Sequence, residues 1–149
     1  MAVTPIPKPG VQERILLHLR DYVDHAEKVE VPFALSQMGI ANAVSIARSN
    51  VPRAISGLRD QGYLVEKQAH VTGVSRKRKA YFLTDEGAKL ADDIWSKVGK
   101  QNVRVIGKDG RASNMELAEA LEYTDLPLRH VDVIRYLDDS GTIDLSVLS

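Results

Sequence analysis

Asn50 and Arg53 are the residues with the clearest capacity for chemistry, and that chemistry is the recognition of nucleic-acid bases. An Arg side chain can form a bidentate pair of hydrogen bonds with guanine, and Asn can do the same with adenine. Ser56 and Gly57 complete the outer face of the helix on which these residues are predicted to lie. A polar outer face is also what any amphipathic helix carries, so these residues alone leave both interpretations open.

Two short helices are predicted to position this face. Small or apolar residues recur with helical spacing at Ile40, Ala41, Val44, Ile46, Val51, Ala54, Ile55 and Leu58. This spacing predicts a helix-turn-helix, with Ser36 capping the first helix and Ser45 in the turn. Ser49 is predicted to cap the second helix, and Pro52 falls in its first turn, where a missing N–H costs no hydrogen bond. The second helix, at about residues 49–61, is the candidate recognition helix.

A basic hairpin is predicted next. Residues 63–71 are predicted to form a strand, and Lys79–Leu83 its return strand. The connecting loop leads into four consecutive cations, Arg76, Lys77, Arg78 and Lys79. Adjacent like charges are unfavourable unless a polyanion lies nearby. We therefore expect residues 70–79 to form a wing along a phosphate backbone, and a solvated charged loop is the plain alternative.

The charges of the chain are unevenly distributed. The whole sequence has 20 basic and 20 acidic residues and is formally neutral. The range from Arg48 to Lys79 contains eight basic and two acidic residues, whereas Arg111–Ser149 contains three basic and eight acidic residues. This asymmetry predicts a local basic face on an otherwise acidic protein. The acidic part would repel DNA and so help to orient the basic face toward it.

Further helices are predicted on either side of the helix-turn-helix and hairpin. The first runs from Val11 to about His25, and Glu30–Leu35 is predicted to be extended. A longer helix begins after its cap, Thr84, and carries an apolar stripe of Leu90, Ile94 and Val98. We favour this stripe as a dimer surface, and packing against the C-terminal part of the same chain is the alternative.

A small acidic unit is predicted to follow. Asn102–Ile106 is expected to be a strand, and Ser113 to Glu116 matches a capping box, which predicts that a helix starts there. A further helix carrying Leu128, Val131, Ile134 and Leu137, and a short strand at Thr142–Leu145, would complete a β-α-α-β unit. The predicted fold class is mainly α with a small β-wing, in which residues 1–101 form a winged helix-turn-helix and residues 102–149 a small α+β unit.

The segment from Ser36 to Leu90 resembles winged-helix transcription regulators of the MarR-like class. The resemblance rests on Ile40-Ala41, Ser49-x-Val51-x-Arg53-Ala54, Leu58-x-x-x-Gly62-Tyr63-Leu64 and Tyr81-Phe82-Leu83-Thr84-Asp85-Glu86-Gly87. In that class a long helix after the wing often dimerises, which implies a homodimer here. The wider chain resembles the N-terminal region of some archaeal regulators, in which a P-loop ATPase can follow, but it has no G-x-x-x-x-G-K-[ST] motif.

The residue patterns and the resemblance together predict a sequence-specific duplex-DNA-binding transcription regulator. The predicted DNA contacts are Arg48, Ser49, Asn50, Pro52, Arg53, Ser56, Arg76, Lys77, Arg78 and Lys79. The alternatives are a winged-helix protein-interaction module and the N-terminal part of a larger ATPase-type regulator. The sequence does not identify an effector ligand.

No catalytic or metal-binding pattern stands out. The four histidines, His18, His25, His70 and His130, lack metal-ligand spacing, cysteine is absent, and no serine lies in a Gly-x-Ser-x-Gly motif. We therefore expect no enzyme activity, no cofactor and no metal. No apolar run approaches the length that spans a bilayer, and the Pro-rich start lacks a signal region, so we expect no membrane partner and a cytoplasmic location.

Overall fold

The computed structural model describes residues 10–25, 30–123, 131, 134, 136–138 and 140–147. The chain divides into two compact units, of which one is Gly10–Ile94 and the other takes in the residues from Trp95 onward. The Pro-rich start and most of the helix predicted around Leu128 lie outside the described residues.

The first unit is a winged helix-turn-helix. Its helices are α1 (Val11–Arg20), α2 (Gln37–Val44), α3 (Val51–Asp60) and α4 (Asp85–Val98), the last of which continues beyond the unit; its strands are β1 (Glu30–Val31), β2 (Leu64–Val71) and β3 (Arg78–Leu83). Strands β2 and β3 form an antiparallel hairpin, and β1 pairs in parallel with the far end of β2. This order and pairing confirm the predicted winged-helix architecture and fold class.

Helix α1 forms the centre of this unit. Five consecutive residues of the helix are buried, namely Ile15, Leu16, Leu17, His18 and Leu19. A helix buried on nearly every side must have partners on several faces. It packs against α2, α3 and β3. The helix-turn-helix and the hairpin are therefore held together through α1.

Two predictions about the segment before α2 are corrected by the structure. Helix α1 ends at Arg20, where the prediction extended it to about His25, because the Tyr22 N–H bonds to the Leu19 carbonyl and tightens the last turn. His25 falls in a separate 3-10 turn. The chain is extended through β1 and Pro32, but Phe33–Leu35 forms another 3-10 turn.

The second unit contains a three-stranded sheet. Strands β4 (Asn102–Ile106), β5 (Ala112–Glu116) and β6 (Thr142–Asp144) lie in the order β5-β4-β6, and helix α5 (Leu117–Tyr123) follows β5. Its core includes Val103, Val105, Leu117, Val131, Ile134, Leu137 and Ile143. The predicted strands at β4 and β6 are confirmed.

The predicted capping box at Ser113–Glu116 is wrong. This segment is strand β5, which pairs antiparallel with β4 and places Ser113 opposite Val105. The turn after β4 explains the error, because the Gly107 N–H bonds to the Arg111 carbonyl and Gly110 adopts a φ of 81°. A positive φ suits glycine and closes a short hairpin, so the helix begins only after β5 has returned along the sheet.

Candidate nucleic-acid interface

Helix α2 is fixed at both ends. The Ser36 hydroxyl accepts a 3.1 Å hydrogen bond from the Gly39 N–H, which confirms Ser36 as the N-cap. At the other end, Arg14 of α1 donates a 2.8 Å bond from Nη1 to the carbonyl of Val44. Both contacts satisfy backbone groups that a helix end leaves unpaired. The first helix of the helix-turn-helix therefore has a defined place against α1.

The turn into α3 differs in one respect from the prediction. Ser45 adopts the left-handed conformation, with a φ of 59°, and forms the predicted turn. The chain then makes a 3-10 turn over Arg48–Asn50 before α3 begins at Val51. Ser49 lies inside that turn, so it is not the helix cap, and Asn50 occupies the cap position without a capping side-chain bond. The candidate recognition helix is thus Val51–Asp60, slightly shorter than predicted.

The outer face of α3 carries most of the polar groups predicted for it. Val51, Ile55 and Leu58 are buried, and this inward stripe leaves Asn50, Pro52 and Arg53 exposed and Ser56 half-buried. Arg48 and Ser49, immediately before the helix, are also exposed. Exposed residues therefore lie both in the turn before α3 and in its first turn.

Gly57 does not belong to this outer face. The Gln12 side chain of α1 lies over Gly57 so closely that an added Cβ would clash with the Gln12 amide nitrogen. The same amide donates a 3.4 Å hydrogen bond to the Ala54 carbonyl. The Gln12 side chain therefore covers Gly57 on the surface of α3.

The wing presents its cations to solvent. Residues 72–77 connect β2 and β3, with a positive φ at Gly73, and Arg78 and Lys79 begin the return strand. Arg76, Lys77, Arg78 and Lys79 are all exposed. In the described part of the chain, the salt bridges join Arg20 to Asp92, Arg59 to Glu66 and Arg111 to Asp109, so none neutralises these cations.

A buried tyrosine connects the base of the wing to the helix-turn-helix. Tyr81 is buried, and its hydroxyl donates a 2.9 Å hydrogen bond to Glu66 Oε1 and accepts one of 3.0 Å from Gln37 Nε2. Burial raises the pKa of the Tyr81 phenol above its ordinary value of 10.0, and the Glu66 carboxylate adds to that rise. Arg59 Nη1 of α3 lies 3.5 Å from the same carboxylate oxygen. Residues from α2, α3 and both wing strands therefore meet in one network, a connection that sequence reasoning missed.

A cleft of about 370 Å³ lies between the start of α2 and the wing. Its cationic lining combines Arg48, from just before α3, with Lys77, Arg78 and Lys79 of the wing. Its other walls are formed by Phe33, Ser36, Gln37, Met38, Gln68 and Val74. The structure thus brings together cations from two elements that the sequence analysis treated separately.

The apolar stripe of α4 is partly covered within a single chain. Ala91 and Ile94 are buried, while Leu90 and Val98 are half-buried. Ile94, the centre of the predicted dimer surface, is only 8% exposed.

The described residues contain neither a membrane-spanning helix nor a metal-binding cluster. None of their helices is long and apolar enough to cross a bilayer. No group of three or more His, Asp or Glu side chains in this part of the chain is placed to hold a metal ion.

Comparisons with known proteins add the following. No family model and no curated protein matches the sequence. A double mutant of Lactococcus lactis ZitR in apo form is 21% identical, with a TM-score of 0.45, over 58% of this chain and 55% of that one. MepR, a transcription regulator of the Staphylococcus aureus multidrug efflux pump MepA, is 21% identical with a TM-score of 0.44, over 60% and 57%. A MepR–DNA complex is 19% identical with a TM-score of 0.46, over 60% and 66%.

ZitR and MepR are MarR-family winged-helix regulators. The match spans little more than half the length of ZitR and of free MepR. The element order, strand pairing and helix caps of this chain are by themselves those of a winged helix-turn-helix.

Proposed function

We propose that this chain is a transcription regulator that binds duplex DNA, with helix α3 in the major groove and the wing along the phosphate backbone. The observation that carries the proposal is the convergence of Arg48, at the entry to α3, with Lys77, Arg78 and Lys79 of the wing around one cleft. A protein gains affinity for DNA mainly by neutralising phosphates, and cations from two elements in one place can do so together.

The residue types within the interface suit two different roles, base recognition and phosphate binding. Arg53 is exposed in the first turn of α3 and Asn50 is exposed at its N-cap position. Their side chains suit guanine and adenine edges in the major groove. Arg76, Lys77 and Arg78 project from the wing and suit phosphate oxygens, which carry no sequence information. The first group would supply specificity, and the second group would supply affinity.

The proposal includes a homodimer, because two recognition helices about one DNA turn apart (roughly 34–36 Å) match the symmetry of an operator. It requires no catalytic group and no cofactor, and it includes a cytoplasmic location. The sequence resemblance to MarR-like regulators supports the same assignment.

Fluorescence polarisation with a labelled mixed-sequence duplex of about 30 base pairs tests the proposal. We expect saturable binding at low salt that weakens steeply at moderate salt. A matched single strand of the same length serves as the control, and it should bind more weakly and with a smaller salt dependence. Absence of duplex binding at low salt would overturn the proposal and would favour a protein-interaction module.

A further inference from the structure

We propose that the cleft between α2 and the wing seats one sugar–phosphate strand of a bound duplex, with Phe33 and Met38 packed against its deoxyribose rings. The proposal rests on the proposed function and deepens it. It assigns DNA contacts to two apolar residues that carry no charge and offer no base-reading group.

The geometry of duplex DNA leads to this assignment. The major groove is about 12 Å wide and an α-helix with side chains is about 10–12 Å across, so an inserted helix fills the groove. The sugar–phosphate strands that border the groove must then pass close to the protein on either side of α3. On the wing side, the surface next to the start of α3 is the cleft that Arg48 shares with Lys77 and Lys79.

The lining of the cleft matches the chemistry of a DNA strand. Three large hydrophobic side chains are exposed among the described residues, namely Phe33 at 41%, Met38 at 42% and Val65 at 40%. A single exposed apolar residue is ordinary, but Phe33 and Met38 line the same cleft as four cations. A sugar–phosphate strand alternates an anionic phosphate with a deoxyribose whose C–H groups are apolar. Cations and apolar side chains in one cleft can therefore contact both parts of the repeat.

The backbone beneath Phe33 is firmly placed. The Phe33 carbonyl accepts hydrogen bonds from the Ser36 N–H at 3.0 Å and from the Ser36 hydroxyl at 2.6 Å. Gly39 lies directly against this carbonyl, because an added Cβ would overlap it. The Nε2 atom of the buried His18 is 2.8 Å from the neighbouring Ala34 carbonyl. Phe33 is therefore held half-exposed by a fixed turn, as a preorganised contact residue must be.

Phe33→Ala and Met38→Ala, with Val65→Ala as the matched control, test the proposal by duplex titration. Each cleft substitution should weaken binding to all duplexes about fivefold, the factor expected when roughly 40 Å² less apolar surface is buried on binding. The slope of log affinity against log salt should stay unchanged, since every phosphate keeps its cation. Arg48→Gln should lower that slope by about 0.9. Thermal melting of each variant checks that the fold is intact. We expect it to be intact, because all three hydrophobic side chains are exposed.

Hydroxyl-radical footprinting then locates the contact on the DNA. The wild-type protein should protect deoxyriboses on one strand beside the major-groove site, and Phe33→Ala should remove that protection selectively. If the wild type binds duplex but Phe33→Ala and Met38→Ala behave like Val65→Ala, the cleft proposal is overturned while the proposed function stands. If the wild type does not bind duplex at all, both are overturned.

Discussion

The hydroxyl of Tyr81 donates a 2.9 Å hydrogen bond to the carboxylate of Glu66, its directly opposite partner across the β2–β3 hairpin. The same hydroxyl accepts a bond from Gln37, the first residue of α2. One buried phenol thus joins the base of the wing to the helix-turn-helix. The angle between these two parts decides whether both can meet the same duplex.

Tyr81→Phe should make stability less dependent on alkaline pH. The raised pKa of Tyr81 means that the folded chain keeps its phenol proton at a pH where the unfolded chain has begun to lose it. The resulting stabilisation is complete below pH 10.0, the ordinary pKa, and is lost as the pH rises above that value. Urea unfolding at about pH 8 should show the variant less stable by about 0.5–1.5 kcal/mol. This gap between wild type and variant should narrow above pH 10, and a gap that is independent of pH would contradict the assignment.

Ser36 and Ser49 should differ in their effect on stability. Ser36→Ala removes the cap bond to Gly39 and should lower the free energy of unfolding by about 1 kcal/mol. Ser49 is exposed in the 3-10 turn and caps no helix, so Ser49→Ala should change stability by less than about 0.5 kcal/mol. Denaturant titration of both variants makes the comparison. An equal loss of unfolding free energy in the two variants would show that Ser49 does cap a helix.

Arg53→Ala should act on sequence preference. If Arg53 reads a base, its loss should cost about 1–3 kcal/mol on a preferred site and relax selection at one base pair. Asn50→Ala should act in the same way at a neighbouring position. The matched control is Arg59→Ala, since Arg59 is exposed on the same helix but lies against Glu66. Binding to a randomised duplex pool followed by sequencing gives the readout, and an equal loss on specific and random DNA would show that Arg53 contacts phosphate.

Ile94→Glu should destabilise the fold. Ile94 is 8% exposed in a single chain, so the substitution places a carboxylate at a buried position and should cost about 3 kcal/mol or more. Lys97→Glu, at an exposed position of the same helix, should leave stability nearly unchanged. Thermal melting and sedimentation together separate the outcomes. A stable Ile94→Glu monomer formed from a wild-type dimer would show instead that Ile94 lies at the subunit interface.

Local signals in the sequence were sufficient for the helix-turn-helix and the wing. Ser36 and Thr84 cap their helices as predicted, because a hydroxyl and the N–H three residues later lie within one turn of each other. The first wing strand follows the helix-ending Gln61-Gly62, and the loop between the two strands contains Gly73, so a hairpin follows from neighbouring residues alone. These features depend on contacts that are close in sequence.

Contacts between distant residues explain what could not be predicted. The capping-box spacing of Ser113 and Glu116 is an exception, because the pairing that outweighs it joins their strand to β4, which is close in sequence. The Gln37–Tyr81–Glu66 network and the cleft join residues that lie far apart in the chain. The spacing of hydrophobic residues in a sequence indicates helices and strands, but it does not indicate which side chains of different elements are in contact.

The salt dependence of duplex binding by a wing variant tests the central claim most directly. Arg76→Gln, Lys77→Gln and Arg78→Gln combined should weaken binding to every duplex alike and reduce the log–log salt slope by about 0.9 for each phosphate that is no longer neutralised. Neutralising three exposed lysines elsewhere, Lys89, Lys97 and Lys100, provides the control and should alter the slope far less. A wing variant with the same affinity and slope as the wild type would show that the wing does not contact DNA.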